Sequence, residues 1–143
     1  MFTVASVLQD NVRFTEPVTA AMRGFARSKP FRGTIEERKE KFRTFHATMC
    51  AACEIEAAID FNNVELEQSS VEGGSGVYRV EQDGPPVIVL SGKLSLATYL
   101  YLLGGLMGME SHAERMKWAA NLFRKFFPRS FAGLRTDGPY LTR

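Results

Sequence analysis

Apolar residues recur at helical spacing in the first thirty residues, after a helix-start signal at Thr15. Glu16 and Pro17 follow Thr15, whose hydroxyl can accept a hydrogen bond from an unpaired amide of the first turn. Pro30 follows the pattern and is incompatible with the interior of a helix. The sequence therefore predicts a first helix that begins at Thr15 and ends before Pro30.

A second and longer helical pattern begins at Thr34. Thr34 and Glu37 have the spacing of a capping box, in which the two side chains accept hydrogen bonds from backbone amides of the first turn. Apolar residues at helical spacing continue as far as Ile55 and predict the buried side of this helix. The predicted buried positions are Ile35, Phe42, Phe45, Met49 and Cys53. The predicted solvent-exposed positions are Glu36, Arg38, Lys39, Glu40 and Lys41.

The period then changes to that of strands. The runs AIDFNNVEL, SGVYRV and PPVIVL are short and rich in Val, Ile, Phe and Tyr, and turn-forming residues separate them. These runs predict a small three-stranded sheet whose last two strands form a hairpin. Because VIVL is continuously apolar where GVYRV alternates, we expect the third strand to be more buried than the second.

An uncharged segment of sixteen residues, LSLATYLYLLGGLMGM, lies between Lys93 and Glu110. A membrane span needs about 20 predominantly apolar residues, and this segment is shorter and contains three glycines. It therefore predicts a central helix that is buried on all sides. Gly104 and Gly105 need a reason within a helix, either the close approach of another backbone or an early helix end at GGLMG, and we expect the second.

A last long helix is predicted from Ser111, which forms a second capping box with Glu114. Pro128 marks its end. Its predicted apolar stripe is Met116, Ala119, Ala120, Phe123 and Phe127. With these elements, the sequence predicts an α+β fold with N-terminal helices, a small sheet, a buried central helix and a long C-terminal helix. We expect one domain over residues 1–143, with its core in residues 15–130 and a C-terminal tail in residues 131–143.

Composition and charge refine this picture. The first residues show no basic leader followed by an apolar run, so we expect a cytosolic protein. The only two cysteines, Cys50 and Cys53, are three residues apart and predict reduced thiols, not a disulfide framework. Residues 1–48 and 93–143 are basic, whereas residues 49–92 carry one basic and eight acidic residues. This asymmetry indicates either two surfaces with different partners or solvated elements of different sign.

The order of elements and the phrases VIVLSGKLS, ATYL and ERMKWAANLFRKFFPRSF resemble the small zincin-type metallopeptidase domain of bacterial and phage proteins. The resemblance covers residues 34–130. It implies that the strand VIVLSGKLS leads into a central helix that carries the metal-binding motif HExxH. It also implies a bacterial or phage setting, in which such a small domain acts on host machinery.

The motif itself is absent. In the alignment that the resemblance implies, Tyr101 stands at the first ligand histidine, Leu102 at the general-base glutamate and Gly105 at the second histidine. Zinc requires nitrogen, sulfur or carboxylate donors, and activation of its water requires a base. We therefore predict no catalytic residues, no metal and no cofactor, and we expect apolar side chains to fill the vacated cleft.

Two other groups of residues contain possible metal ligands. His46, Cys50 and Cys53 lie at helical spacing and are three possible zinc ligands, with His112 or Glu114 as a fourth; core packing explains them more simply. The resemblance implies that the third, acidic ligand of the family comes from the element after the motif, where Glu110, His112 and Glu114 lie. Without the two histidines, the simpler account is helix capping for Glu114 and a solvated first turn for Glu110 and His112.

The last helix also carries a candidate binding face of basic residues, namely Arg115, Lys117, Arg124, Lys125 and Arg129. This face fits an acidic protein surface, or a phosphate backbone with Phe126, Phe127 and Phe131 stacking on bases. A solvated helix face explains the same residues.

Three functional hypotheses follow. The first is an inactive zincin-like domain that binds or inhibits another protein, and the second is a nucleic-acid or nucleoprotein binder that uses the basic helix. The third is an enzyme with a different site, for which the available residues are Tyr99, Tyr101, Glu110 and His112. No membrane is expected as a partner. We favour the first hypothesis.

Overall fold

The computed structural model describes residues 15–67, 78–81 and 83–127, and this part of the chain has an α+β fold, as predicted. Its helices are α1 (Glu16–Arg27), α2 (Ile35–Cys53), α3 (Leu96–Leu106) and α4 (His112–Phe126). Its strands are β1 (Ala58–Asp60), β2 (Val64–Glu67), β3 (Tyr78–Glu81), β4 (Val87–Leu90) and β5 (Gly92–Ser95). The predicted tail lies outside the described residues, and so do Arg129 and Phe131.

Both predicted helix starts in the N-terminal third are confirmed. At α2, the amide of Glu37 donates to Oγ1 of Thr34 over 3.1 Å, and the amide of Thr34 donates to Oε1 of Glu37 over 3.3 Å. At α1, the hydroxyl of Thr15 accepts no capping hydrogen bond, so this part of the prediction was wrong. Helix α2 ends at Cys53, two residues before the predicted Ile55, because Glu54 adopts a left-handed conformation with φ of 55°.

The predicted solvent face of α2 needs correction. Lys39 and Lys41 are half-buried, because their ammonium groups donate to carbonyl oxygens of other segments. Arg38 is also half-buried, and its Nη1 donates to the carbonyl oxygen of Leu66 in β2 over 3.3 Å. Ile35, which the periodicity places in the core, is 53% exposed at the start of the helix. The basic residues of this face therefore connect α2 to neighbouring loops and strands.

The five strands form two small sheets. Strand β4 pairs with β3 in the predicted antiparallel hairpin and with β1 in parallel on its other edge, while β2 pairs with β5 in parallel. The run AIDFNNVEL was predicted as one strand, but it contains both β1 and β2. The chain turns between them, because Oδ1 of Asp60 accepts a hydrogen bond from the amide of Asn62, and Asn63 has a φ of 59°. The prediction that β4 is more buried than β3 concerns side chains outside the described ones.

The two parallel pairs continue one another across a bend. Gly92 has a φ of 108°, a conformation that favours glycine, and as the first residue of β5 it lies opposite Val64, next to the bend at Asn63. The amide of Gly92 donates to the carbonyl oxygen of Asn63 over 3.2 Å, so the hydrogen-bond ladder is not interrupted completely. The segments 58–67 and 87–95 therefore form one bent parallel ribbon, which leads directly into α3.

Helix α3 is the predicted buried central helix. Nine of its eleven residues are buried, so the helix has no polar side that faces solvent. Ser95 caps its N-terminus from within the core: its Oγ accepts the amide of Thr98 over 3.1 Å and lies 3.0 Å from the hydroxyl of Thr98. Both hydroxyls are therefore satisfied although both residues are fully buried. Within the described residues, no helix has the length and apolar character needed to cross a membrane.

The glycines of α3 have different roles. Gly104 and Gly105 both remain helical, and the helix ends at Leu106 with Gly108 in the following turn at a φ of 94°. The expected early end therefore occurs after the glycine pair. A Cβ atom on Gly105 would lie 2.7 Å from Cζ of Arg115, so the absence of a side chain leaves room for a guanidinium group of α4.

Aromatic rings join the helices in the core. The rings of Phe25 in α1 and Phe45 in α2 stack with centroids 4.0 Å apart, and Phe42 meets Tyr99 of α3 edge to face at 5.0 Å. Phe127, directly after α4, lies 6.4 Å from Phe25. All four helices are thus held by one aromatic network, in which each such contact contributes about 0.5 to 1.5 kcal/mol beyond area burial.

Candidate functional site

Tyr101, at the first predicted motif position, forms a contact between α3 and α4. Its side chain is only 7% exposed, and its hydroxyl lies 2.7 Å from Nδ1 of His112 in the first turn of α4. His112 itself is exposed. The phenol is therefore held at the junction of the two helices by a short hydrogen bond, with the imidazole on the solvent side.

Arg115 completes this junction, which we call the Tyr101 cluster (Tyr101, Gly105, Met109, His112 and Arg115). The Nε atom of Arg115 donates to the carbonyl oxygen of Met109 over 2.6 Å, and its guanidinium lies 5.2 Å from the centre of the Tyr101 ring. The guanidinium also occupies the space beside Gly105. Arg115 therefore points toward α3 and does not share the outer side of α4 with the other basic residues.

The three motif positions offer no chemistry of the HExxH type. Leu102 is 7% exposed and belongs to the hydrophobic core, and Gly105 has no side chain. Only the phenol of Tyr101 has a polar atom, which already contacts His112. Among the residues that the structure describes, no three or more His, Cys, Asp or Glu side chains are grouped to hold a metal ion.

His46 forms a second buried polar pair, with Tyr99. Its Nε2 lies 2.8 Å from the carbonyl oxygen of Ala57, which can only accept, so Nε2 carries the proton. In the neutral ring, Nδ1 must then accept the hydrogen bond from the hydroxyl of Tyr99, 2.9 Å away. Both ring nitrogens are therefore used within the protein, and burial lowers the pKa of His46 below its ordinary value of 6.5.

The two thiols next to His46 are kept protonated. Sγ of Cys50 lies 3.5 Å from Nε2 of His46, and burial raises the pKa of this thiol. Burial, followed by repulsion from Cys50, raises the pKa of Cys53 to about 11. Because the thiolate is the nucleophile and metal ligand, these cysteines serve packing at neutral pH. His112, the suggested fourth ligand, contacts Tyr101 instead.

The stability of the protein is expected to depend on the protonation of His46. As the pH falls through about 6.5, His46 of the unfolded chain takes up a proton while the buried, neutral ring of the folded chain does not. The free energy of unfolding should therefore decrease below this pH and should have no contribution from His46 to its slope above it. Urea titrations between about pH 5 and pH 8, followed by the fluorescence of Trp118, measure this dependence.

The matched control for this experiment is His46→Gln, which keeps a neutral polar side chain at the same place. Its free energy of unfolding should change less with pH in the same window. An identical slope in the two proteins would contradict the assignment of this dependence to His46.

The outer side of α4 carries three of the predicted basic residues. Arg124 and Lys125 are exposed and Lys117 is half-buried, and their spacing in the helix places all three on one side. We call these three residues the α4 basic face. The structure thus separates Arg115 from the predicted face.

The acidic and aromatic candidates lie elsewhere. Glu110 is exposed before α4, and the amide of Glu114 donates to Oγ of Ser111 over 3.3 Å, so Ser111 is the N-cap that the sequence predicted. Phe126 and Phe127 are half-buried and packed against the hydrophobic core. Lys125 lies over the ring of Phe126, with Nζ 5.5 Å from its centre.

Two features of the site have no clear signal in the sequence. The pair His46–Tyr99 joins residues that are 53 positions apart. The sequence shows only that His46 is a polar residue among the apolar positions of its helix, which does not indicate its partner. The Tyr101 cluster forms because Gly105 and Arg115 meet across two helices. In the sequence, its signal was the presence of Gly105 inside a predicted helix.

Comparison with known proteins adds no relative to this picture. No family model matches the chain, and neither the curated proteins nor the solved structures gave a match.

Proposed function

We propose that this chain is a zincin-like domain without catalytic chemistry, which binds an acidic partner protein through the α4 basic face. The observation that carries the proposal is the contact of Tyr101 with His112. In the alignment that the resemblance implies, Tyr101 stands where zincin-type domains have a ligand histidine, and its buried phenol oxygen joins two helices.

The donor chemistry of the motif positions supports the loss of metal catalysis. A zinc site of this type needs two imidazoles and a carboxylate base next to the metal-bound water. Tyr101 supplies one weak donor, while Leu102 and Gly105 supply none. Leu102 and Leu103 are instead buried in the hydrophobic core, and their burial contributes about 1.5 to 3 kcal/mol of transfer free energy each.

The charges of α4 support an acidic partner. Lys117, Arg124 and Lys125 place three positive charges on one side of a helix whose other side is buried in the core. A cluster of one sign attracts a surface of opposite sign and increases the rate of encounter. The buried side of α4 determines that these residues lie on the side of the helix that faces away from the core.

A protein is a better candidate than single-stranded nucleic acid. Base stacking requires aromatic rings that are open to solvent. Phe127 instead packs against Phe25, Phe31 and Phe123, with ring centres 5.8 to 6.4 Å away. The described aromatic residues next to the α4 basic face therefore support the core.

Reversal of the α4 basic face tests this proposal. We expect the triple change Lys117→Glu, Arg124→Glu and Lys125→Glu to weaken binding of a glutamate-rich peptide by about tenfold or more, because each exposed ion pair contributes about 0.2 to 1 kcal/mol. The measurement is fluorescence anisotropy of the labelled peptide over a range of salt concentrations, with DNA of equal charge as the competing ligand.

The charge-matched control changes three exposed basic residues of α1 and of the segment that follows it, Arg23→Glu, Lys29→Glu and Arg32→Glu, which gives the same net charge. Equal loss of binding in both triple variants would mean that only net charge matters. Tighter binding of DNA than of the peptide, with a steep salt dependence lost in the α4 variant, would favour the nucleic-acid hypothesis instead.

The catalytic half of the proposal has its own test. Elemental analysis of the purified protein is expected to give no stoichiometric zinc, and a general protease substrate should remain intact. Cleavage that a chelator abolishes, or one zinc ion per chain, would overturn this half without affecting the binding experiment.

A further inference from the structure

Helices α1 and α2 enclose a surface groove of about 520 Å³ that the α4 basic face does not include. Its floor consists of Ala21, Phe25 and Phe45, which are buried side chains of the core. Its walls are short side chains from both helices, namely Pro17, Ala20, Gly24, Ser28, Thr44 and Thr48. The groove therefore has an apolar base and shallow sides that follow the two helices.

Three polar side chains of the groove are already occupied by backbone carbonyl oxygens of the two helices and of the segment after α1. The hydroxyl of Thr48 donates to the carbonyl oxygen of Thr44 over 2.9 Å, and that of Ser28 donates to Phe25 over 2.6 Å. The ammonium of Lys41 donates to the carbonyl oxygens of Lys29 and Arg32. A small-ligand site usually presents converging polar groups that orient the ligand. In this groove, the side chains of Ser28, Lys41 and Thr48 do not point such groups at a ligand. The groove therefore fits the apolar surface of a helix better than a small polar ligand.

Short side chains allow another helix to approach closely. A Cβ atom on Gly24 would meet no other atom within 4 Å, so the space above this exposed residue is open. Packed helix axes lie closer together when the side chains at the contact are small. Ala20 and Thr44 on either side keep this distance small.

The two borders of the groove carry charges of opposite sign at the end where α1 stops. On α1, Arg23 and Arg27 lie three residues after Ala20 and Gly24 and are exposed on the outer border. On α2, exposed Glu36 and Glu40 lie on the other border, and Glu40 lines the groove itself. Glu40 also lies 3.2 Å from Nη1 of Arg43, a pair that is open to solvent. Because Nη1 of Arg23 lies 3.8 Å from Oε1 of Glu16, the difference in charge rests on Arg27 on one border and on Glu36 and Glu40 on the other.

From this arrangement we propose that a second copy of this chain occupies the groove, in a two-fold symmetric dimer. A two-fold axis parallel to the helices places α1 of each copy over α2 of the other. The four helices then form two packed layers, with two helices from each copy. The same operation brings Arg27 of each copy toward Glu40 of its partner. Such a surface is complementary to itself, as an isologous interface requires.

The first test is the mass of the full-length chain in solution. Sedimentation velocity is expected to give a mass of about 32 kDa, twice the 16.0 kDa of one chain. Gly24→Arg should shift the protein to the monomer, because a long charged side chain would stand in the centre of the interface. The space above Gly24 is open, and arginine has a higher helix propensity than glycine, so the fold should tolerate this change.

The matched control is Ala113→Arg, which places the same side chain on an exposed helical position of α4 and should leave the dimer intact. Circular dichroism of both variants confirms that each remains folded. Dissociation by Gly24→Arg but not by Ala113→Arg supports the proposal. Equal behaviour of the two variants would overturn it.

A charge exchange tests the two-fold arrangement itself. Arg27→Glu gives a chain with two acidic borders at this end of the groove, and Glu40→Lys gives a chain with two basic borders. Each variant alone should dimerise less than the unchanged chain, and an equimolar mixture should restore the dimer as a heterodimer. Native mass spectrometry separates the three species.

Two results would overturn the proposal. One is a chain that stays monomeric up to about 1 mM, the concentration at which an interface of about 4 kcal/mol is half occupied. A groove covered by another protein, or by another part of the same chain, would give this result. The other is a dimer that the mixture of charge variants does not restore. Neither result bears on peptide binding by the α4 basic face.

Discussion

Leu103→Ala is expected to lower the free energy of unfolding by about 3 kcal/mol, within the range of about 2 to 5 kcal/mol for leucine truncations in well-packed cores. Leu103 is fully buried in the C-terminal half of α3, a helix of which nine of the eleven residues are buried. Truncation would remove the transfer free energy of the side chain and leave a cavity that the surrounding helices and strands cannot close without moving. Urea denaturation followed by Trp118 fluorescence measures the change.

Leu106→Ala is the matched control, because it makes the same chemical change at the half-buried last residue of the same helix. Its cost should be about 1 kcal/mol, since solvent already reaches this side chain and no closed cavity forms. Equal costs for the two substitutions would contradict the enclosed position of α3 in the fold.

His46→Ala is expected to have a comparable effect, about 3 kcal/mol, for a different reason. The imidazole joins α2 to α3 through Tyr99 and to the following loop through the carbonyl oxygen of Ala57. Its removal would leave two buried polar groups without their partner, and each such group costs about 1 to 3 kcal/mol. Urea titration at about pH 7.5, where His46 is neutral in both states, keeps the pH effect out of the measurement.

A double-mutant cycle with Tyr99→Phe separates the hydrogen bond from the cavity. Tyr99→Phe alone removes only the hydroxyl and should cost about 1 to 2 kcal/mol, because Nδ1 of His46 loses its donor. The double variant should cost less than the sum of the two single ones, since their shared hydrogen bond is lost only once. Strict additivity would mean that the two side chains are not coupled.

The helices were predictable because their signals are local. The capping box of Thr34 and Glu37, the N-cap at Ser111 and the uncharged segment each lie within a few turns of the structure that they specify. The α+β class and the β3–β4 hairpin followed from the same kind of pattern. The zincin-like resemblance and the proposed partner stay predictions, since no related protein was found that bears on them.

The parts that were missed depend on contacts between distant segments. The strand β5 and the division of β1 from β2 result from parallel pairing over an interval of 28 or 29 residues, which no short window of sequence records. Arg115 was assigned to the basic side of its helix, but the free space beside Gly105 and the carbonyl of Met109 draw it toward α3. Likewise, Arg38, Lys39 and Lys41 of α2 donate hydrogen bonds to backbone carbonyl oxygens of other segments, which the helical pattern could not indicate.

The bent parallel ribbon also has a consequence for the time course of folding. Helices α1 and α2 and the β3–β4 hairpin contain mainly local contacts, which close rapidly. The ribbon instead forms only when segment 87–95 has come to lie beside segment 58–67. Closing the loop between the two segments costs chain entropy before any hydrogen bond of the ladder compensates for it. On the ribosome, the first half of the ribbon is synthesised well before its partner, so its edge stays unpaired until the nascent chain has reached the start of the central helix.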